Sequence, residues 1–476
     1  MSLQLTVSQK IGYGVGDAAC GIVYTSVTMF LTYFYTDIYG LSAAAVGTMF
    51  LLTRIFDAIT DPLTGILADR TNTRWGHFRP WLMWFAIPYA VLGVLAFTTP
   101  SMADGGKLVY AYVTYSLLML CYTFINIPYC ALGGVISSDE KQRLSAQSYR
   151  FAISSIAGLF VSISTLYLVN WLGQGDKQLG YQYTAAVMGV LAIVMLFYCF
   201  FATHEELTPK QENESVSIKR DLKLLFGNGQ WRLVAVITFF SSMAGVMRYA
   251  ATMYYATYLM TGGLDEAGTG MKSAFITTGV VGTVFGPMLA NYLGKKYSSI
   301  KVFRAINLIL TALGVVMFFV PSQLLVVVFP LFFLIGFFHQ GYQPFKWNMM
   351  ANAADYGEWK TGRRITGLSF SGNLFCLKMG MAVAGALVGF ILGWVGYQAG
   401  VPNQNPMAVT GIIGLLTIGP SLSYFILYLL SKFYTLDDAM MLKITDDLRQ
   451  RHQIRQSAQP HSHGQPLPDD GLATAH

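Results

Sequence analysis

Three ionisable side chains lie close together in an otherwise apolar stretch near the N-terminus. Arg54, Asp57 and Asp61 stand at positions i, i+3 and i+7 of the run from Leu51 to Pro62. A helix places these positions on one face, so the guanidinium and both carboxylates point in the same direction. Charges inside an apolar helix are costly unless they face partners or water. The carboxylate pair therefore predicts a site for a cation or a proton.

The composition of the chain is that of an integral membrane protein. Charged residues make up 12% of it and hydrophobic residues 54%, whereas soluble domains contain about 25% charged residues. The mean hydropathy is +0.47. The apolar runs are long and separated by short polar loops, which predicts membrane-spanning helices and not the short alternating strands of a barrel. We therefore expect an all-α membrane protein.

The apolar runs predict twelve spans in two groups of six. They lie at 10–37, 42–68, 80–99, 107–134, 145–171, 181–203, 233–261, 267–293, 302–320, 323–353, 365–396 and 406–434. The predicted organisation is an N-terminal six-helix bundle (1–203), a cytoplasmic middle loop (204–232), a C-terminal six-helix bundle (233–434) and a tail (435–476). The tail is expected to form one amphipathic helix over 437–455 and to be largely disordered otherwise.

Lysine and arginine residues predict the orientation. They concentrate in the loops between spans 2 and 3, 4 and 5, 6 and 7, 8 and 9, and 10 and 11, whereas the opposite loops contain only Lys107, Lys177 and Lys272. Basic loops stay in the cytoplasm, so both termini are expected there. The net charge of +7 is explained by this topology and does not require a nucleic-acid partner.

The two groups of spans resemble each other weakly. The segment from Gly65 to Arg74 after span 2 has a faint counterpart after span 8, from Gly286 to Asn291 followed by Lys295 and Lys296. Parallel halves with a binding site between them are the arrangement of the major facilitator fold.

Six sequence blocks together resemble the glycoside-pentoside-hexuronide:cation symporter family of the major facilitator superfamily, also called the sodium:galactoside symporter family, in which melibiose permease is the best-known member. The blocks are Gly14 to Asp17, Tyr33 to Asp37, Arg54 to Pro62, Thr73 to Trp81, Tyr122 to Tyr129 and Asp355 to Lys360. They occur in the family's order and spacing between about residues 10 and 435. No single block would be sufficient to establish the resemblance.

The resemblance implies a cation site at Asp57, Asp61 and Thr123. Oxygen ligands of this kind suit Na⁺ or Li⁺, and the carboxylates can carry H⁺ instead. Thr60 belongs to the same predicted site and replaces an amide side chain of melibiose permease. This substitution removes a carbonyl ligand for Na⁺ and leaves proton coupling unaffected, so the choice between Na⁺ and H⁺ stays open. No cofactor is expected, and the only metal would be a monovalent ion at Asp57 and Asp61.

Two cationic side chains are expected near these carboxylates. Lys378 matches the family's membrane lysine in span 11, and an ammonium in an apolar span favours Asp57 and Asp61 as its partners. Arg54 either serves the same cluster or neutralises Asp57 within its own helix.

The resemblance also implies a sugar site at Asp17 and Arg150. Carboxylates and guanidinium groups bind pairs of hydroxyl groups by bidentate hydrogen bonds. Asn126 and Cys130 replace the carboxylate and the stacking tryptophan of melibiose permease, so galactoside specificity is not implied. Tyr24 and Tyr122 either supply a replacement ring face or serve ordinary packing. These two substitutions leave the identity of the sugar open.

Three further residues extend the predicted substrate pocket. Gln343 and Lys346 belong to an unusually polar part of span 10, and Arg248 lies in span 7. Two cations in the second half would suit an anionic substrate such as a hexuronide, although Arg248 could instead reach the membrane interface. In addition, the segments 69–79 and 355–364 are expected to form charge networks that hold the two halves together.

The sequence therefore predicts a transporter and not an enzyme. We expect a Na⁺- or H⁺-coupled importer of a glycoside, pentoside or hexuronide in a bacterial inner membrane, with a sugar, a monovalent cation and the lipid bilayer as its partners, acting as a monomer. One alternative is a membrane enzyme for lipid-linked sugars, in which Asp57 and Asp61 would be catalytic acids. The other alternative is an uncoupled channel.

Overall fold

A computed structural model describes residues 4–206, 218–260, 269–398 and 403–457. Within these ranges the chain forms helices and no β-strand. The helices are α1 (Val7–Tyr33), α2 (Ala43–Arg70), α3 (Arg79–Ala96), α4 (Asp104–Val135), α5 (Glu140–Gly173), α6 (Lys177–Ala202), α7 (Ile218–Gly227), α8 (Gly229–Tyr255), α9 (Thr269–Lys296), α10 (Ser299–Phe319), α11 (Leu325–Gly341), α12 (Gln343–Thr361), α13 (Thr366–Trp394), α14 (Pro406–Leu416), α15 (Ile418–Ser431) and α16 (Asp438–Ser457). Short π-helical segments, Phe34–Ile38 and Ala256–Met260, extend α1 and α8.

Each predicted span corresponds to a helix or to two consecutive helices. Among the described residues, 11 helical stretches are long and apolar enough to cross a membrane. The remaining predicted span, 42–68, corresponds to α2, which has 28 residues and is therefore about 42 Å long. Side-chain caps fix several helix starts, as where the Ser42 hydroxyl accepts a hydrogen bond from the backbone N–H of Ala45.

Two predicted spans are divided in the structure. Span 10 consists of α11 and α12, which meet at Tyr342 just before Pro344, and span 12 consists of α14 and α15, which meet at Thr417 just before Pro420. Proline has no backbone N–H and its ring clashes with the carbonyl group four residues earlier, so a continuous helix is interrupted there.

The membrane helices pack as an N-half, α1 to α6, and a C-half, α8 to α15. In the N-half, α1 packs on α5 and α6, and in the C-half α8 packs on α13 and α15. The two halves meet where α2 packs on α13 and where α5 packs on α9. The site described below lies along these contacts.

The predicted helix of the tail corresponds to α16, which contacts both halves. Arg449 donates a hydrogen bond to the hydroxyl of Ser138 in the N-half. Trp359 of the C-half donates its indole N–H to Asp447 at 2.8 Å. Residues 458–476 of the predicted disordered tail lie outside the described residues.

Candidate cation and sugar sites

Lys378 of α13 bridges the two carboxylates of α2. Its Nζ atom lies 2.7 Å from Oδ2 of Asp61 and 3.2 Å from Oδ2 of Asp57. Both carboxylate side chains are 1% exposed, whereas the lysine side chain is 21% exposed. Two neighbouring buried carboxylates repel each other, and the shared ammonium offsets this repulsion. The ion cluster also connects the C-half to the N-half in the middle of their apolar helices.

Thr123 of α4 completes the polar surroundings of Asp61. Its hydroxyl donates to Oδ1 of Asp61 at 3.2 Å. The hydroxyl of Thr60 has a different orientation, because it donates to the carbonyl oxygens of Phe56 at 3.2 Å and Asp57 at 3.4 Å within its own helix. The side chain of Arg54 lies outside the described residues. Of the residues predicted for the cation site, Asp57, Asp61 and Thr123 thus come together around Lys378.

Asp17 of α1 and Arg150 of α5 form an ion pair within the N-half. Nη2 of Arg150 lies 2.7 Å from Oδ1 of Asp17, and the two side chains are 4% and 15% exposed respectively. The same nitrogen donates to Sγ of Cys130 at 3.6 Å, and the thiol of Cys130 donates to Oδ1 of Asn126 at 3.7 Å. Four residues predicted to determine sugar binding therefore form one network.

Arg150 is also enclosed by aromatic rings, one of which comes from the other half. Its guanidinium carbon lies 4.2 Å from the ring centre of Trp347, 5.0 Å from Tyr129 and 5.2 Å from Phe151. Trp347 belongs to α12 of the C-half and had no role in the sequence prediction. The only signal for it was its position beside Lys346 in a polar part of span 10. The stacking orients the guanidinium for its ion pair with Asp17, and its Nε atom has no hydrogen-bond partner among the described residues.

One helix, α4, connects the two clusters. Thr123, which contacts Asp61 of the ion cluster, and Asn126, which belongs to the network of Asp17 and Arg150, are three residues apart. They are therefore separated by about 4.5 Å along the helix axis. On the same helix, the ring of Tyr122 stacks on Tyr24 of α1 with centroids 4.7 Å apart. Each tyrosine therefore covers one face of the other, and a sugar could stack only on an outer face.

The remaining predicted pocket residues lie in the C-half. Lys346 and Arg248 are 3% and 1% exposed, and Gln343 is the first residue of α12. The burial of Arg248 among helices does not fit a side chain that reaches the membrane interface.

The two halves are joined by polar contacts at the membrane face that carries the five basic loops, here called the basic face. Arg143 of α5 lies 2.6 Å from Asp355 of α12 and donates to Asn352 at 2.9 Å. Asp69 at the end of α2 accepts hydrogen bonds from the backbone N–H groups of Gly367 and Leu368 at 2.6 and 2.9 Å. These groups lie at the N-terminus of α13, whose partial positive charge favours a carboxylate. The described halves are thus held closed at this face.

Only part of the predicted charge networks crosses between the halves. Asp69 and Asp355 do so, as expected. Arg79 instead donates to the carbonyl oxygen of Phe200 at 2.6 Å, and Arg74 stacks on Trp75 at 4.5 Å, so both remain within the N-half. The partners of both arginines, Phe200 and Trp75, belong to the N-half itself.

Comparison with known proteins identifies the fold and the family. A model of the family described as MFS/sugar transport protein matches residues 12–438. The chain belongs to this family.

Two relatives in Escherichia coli (strain K12) match this chain over nearly their whole length. The inner membrane symporter YicJ is 42% identical over 94% of this chain and 95% of its own length, and the putative glycoside/cation symporter YagG is 39% identical over 99% and 100%. The isoprimeverose transporter of Lactiplantibacillus pentosus is 32% identical over 94% and 92%.

The solved structures support the major facilitator fold. The fucose:proton symporter FucP of E. coli superposes with a TM-score of 0.64, at 14% sequence identity, over 90% of this chain and 97% of its own. The predictions of the family and of an all-α major facilitator fold are confirmed. The family consists of sugar transporters, so the membrane-enzyme alternative is not supported.

Adding a methyl group at Gly367 is expected to destabilise the closed basic face. A Cβ atom there would collide with the backbone carbonyl oxygen of Gly65 and lie 2.9 Å from Oδ1 of Asp69. The carbonyl oxygen is a backbone atom, and the Asp69 carboxylate is held by its hydrogen bonds to the N–H groups of Gly367 and Leu368. Gly367→Ala should therefore cost about 1–3 kcal/mol and lower the thermal denaturation midpoint. Gly385→Ala on the same helix meets no atom of the described residues within 4 Å and is the matched control. Equal midpoints for the two variants would contradict the expected close contact between α2 and α13.

Proposed function

We propose that this protein is a cation-coupled sugar symporter that imports a glycoside, pentoside or hexuronide across a bacterial inner membrane. The proposal places the basic face and both termini in the cytoplasm, in agreement with the distribution of lysine and arginine. The observation that carries it is the bridge from Lys378 to Asp57 and Asp61, because it joins the two halves through an ammonium group that a bound cation can replace.

The ion cluster explains how cation binding can be linked to movement of the halves. Oxygen atoms of Asp57, Asp61 and Thr123 are suitable ligands for a small monovalent cation, and a bound proton would neutralise one carboxylate instead. A bound metal ion would displace Lys378 from both carboxylates, whereas a proton would leave it with one ionised partner, and either event weakens the contact between α2 and α13. Without a cation, the ammonium takes over charge compensation. The unloaded carrier can therefore return without carrying a cation.

Sugar binding would act through the neighbouring network. Hydroxyl groups that bind Asp17 and Arg150 would replace part of their ion pair. A resulting shift of the Arg150 guanidinium would alter its contact with the ring of Trp347 and thereby affect the C-half. Since α4 carries both Thr123 and Asn126, a movement of this helix on binding at one site would change the position of a residue at the other. Coupled occupation of both sites would then permit the halves to rock and open the basic face.

The names of relatives support this substrate class. YagG is named a putative glycoside/cation symporter, and the L. pentosus relative is named an isoprimeverose transporter. Both match this chain over more than nine-tenths of its length.

Uptake into proteoliposomes tests the proposal. Methyl α-D-xyloside, methyl β-D-glucuronide and melibiose would each be supplied with a Na⁺, Li⁺ or proton gradient. Saturable accumulation above the external concentration, lost when one gradient is collapsed, is expected for at least one sugar. Non-saturating equilibration without any gradient dependence would instead favour an uncoupled channel.

Melibiose is expected to be a poor substrate, with uptake at least about tenfold below that of the best xyloside or glucuronide. Asn126 and Cys130 form a hydrogen-bonded pair where melibiose permease has a carboxylate and a tryptophan. They provide neither a bidentate acceptor nor a ring surface for a galactosyl group, and such a loss reduces affinity strongly. Competition between the sugars at equal concentration measures the preference. Efficient cation-coupled melibiose uptake would show that these two positions do not determine specificity.

A further inference from the structure

A second polar cluster lies inside the C-half, around two buried cations. Arg248 of α8 is 1% exposed and Lys346 of α12 is 3% exposed. Within the described part of the chain, no carboxylate lies within ion-pair distance of either side chain. A cation buried in an apolar bundle is costly unless an anion accompanies it. The pair therefore differs from Lys378 and Arg150, which both contact carboxylates.

Hydrogen-bond donors surround these two cations. Nζ of Lys346 donates to the hydroxyl of Ser241 at 3.1 Å, and this hydroxyl lies 2.9 Å from that of Tyr342. Nδ1 of His339 lies 2.8 Å from the hydroxyl of Tyr424. The cluster is thus rich in N–H and O–H groups, and its own acceptors are all uncharged.

Helix α8 holds both ends of the cluster on one face. Ser241 and Arg248 are seven residues apart, which is about two helical turns. Between them lies Gly245, where a Cβ atom would be 3.4 Å from Nε2 of His339. The imidazole therefore stands against α8 between the residue that binds Lys346 and the arginine.

The guanidinium of Arg248 has unused donors. Its Nε and Nη2 atoms are buried and have no hydrogen-bond partner among the residues that the structure describes, while the group stacks on Tyr249 at 4.6 Å. A planar guanidinium with free N–H groups matches the two oxygen atoms of a carboxylate.

We propose that Arg248, His339 and Lys346, together with Ser241, Tyr342 and Tyr424, form a binding site for a carboxylate group. This site rests on the proposed function in one respect, because we assign the carboxylate to the transported glycoside. Lys346 and Trp347 are adjacent in the chain, and Trp347 stacks on Arg150 of the sugar site. A sugar ring held at Asp17 and Arg150 would lie beside α12, the helix that also carries Lys346, and its carboxylate would extend from there toward the cluster. The other source of the same chemistry is a free small carboxylate anion.

Binding to the purified protein in nanodiscs tests the site without requiring transport. The ligands are methyl β-D-glucuronide and the uncharged methyl β-D-glucoside, measured by calorimetry, and sodium acetate, measured by thermal shift against sodium chloride. We expect the glucuronide to bind at least about tenfold more tightly than the glucoside. Lys346→Gln and Arg248→Gln should reduce this preference to about twofold or less while glucoside affinity remains. Lys301→Gln, which changes an exposed lysine at the start of α10, should keep it.

Other results would distinguish a substrate carboxylate from a free carboxylate anion, and failure of this site from failure of the proposed function. Stabilisation by acetate that is lost in Arg248→Gln, without a preference for the glucuronide, would support the site but overturn its assignment to the substrate. Equal affinity for both glycosides and no effect of acetate would overturn the site, even if cation-coupled glycoside uptake is observed. If Arg248→Gln does not fold, Arg248→Lys keeps the charge but removes the fork, and a retained tenfold preference in it would contradict bidentate binding by this arginine.

Discussion

Replacing Asp57 or Asp61 with cysteine is expected to abolish concentrative sugar uptake, with accumulation reduced at least about 100-fold while exchange of sugar down its gradient continues. The two carboxylates share Lys378 at 3.2 and 2.7 Å. Loss of either one removes a ligand for the cation and leaves the ammonium paired with the other carboxylate. Movement of the halves then no longer depends on the cation, so the coupling free energy is lost while sugar can still bind.

Two measurements separate loss of coupling from loss of folding. Accumulation under the effective cation gradient and counterflow without a gradient are recorded for each variant. Leu63→Cys, whose parent side chain is 48% exposed on the same helix, is the matched control and should accumulate sugar normally. Unimpaired accumulation in both aspartate variants would refute the assignment of the cation site.

Removing one member of the Asp17–Arg150 pair is expected to reduce sugar affinity at least about 100-fold and to leave cation binding intact. The pair lies 2.7 Å apart and belongs to a network with Cys130 and Asn126, so each variant deletes hydrogen bonds to sugar hydroxyls. Asp17→Asn or Arg150→Gln alone also leaves a buried charge without its partner, which costs about 3–5 kcal/mol of folding stability.

The double variant distinguishes binding from stability. Asp17→Asn combined with Arg150→Gln should regain much of the thermal stability lost by the single variants, because no buried charge is left unpaired, yet it should not regain sugar binding. Calorimetry with Na⁺ and Li⁺ tests the cation site in the same samples. Lys141→Gln, at an exposed position of the same helix α5, is the control. Simultaneous loss of cation and sugar binding in the single variants would show that the two sites are not separable.

The positions of the spans were predictable because they depend on local composition. An apolar run of sufficient length forms a helix in a membrane, since backbone groups must be satisfied within the segment. Spacing along a single helix also placed Asp57 and Asp61 on one face. The divisions at Tyr342 and Thr417 were missed, although Pro344 and Pro420 were visible, because a proline can either kink a helix or end it.

Contacts between distant segments were decided by the tertiary structure. The sequence contained Lys378, Arg150 and Arg248, but periodicity gives only the face of a helix and not the depth or rotation of the helix that it meets. Family resemblance indicated Asp57 and Asp61 as partners of Lys378 and placed Asp17 and Arg150 in one sugar site, without predicting their ion pair. It gave no role to Arg248, Trp347 or His339. Their surroundings follow from how α8, α11 and α12 pack, since burial removes water and leaves each charge dependent on whichever groups that packing provides. Sequence thus determined which residues carry charge into the membrane, and packing determined which of them have a partner.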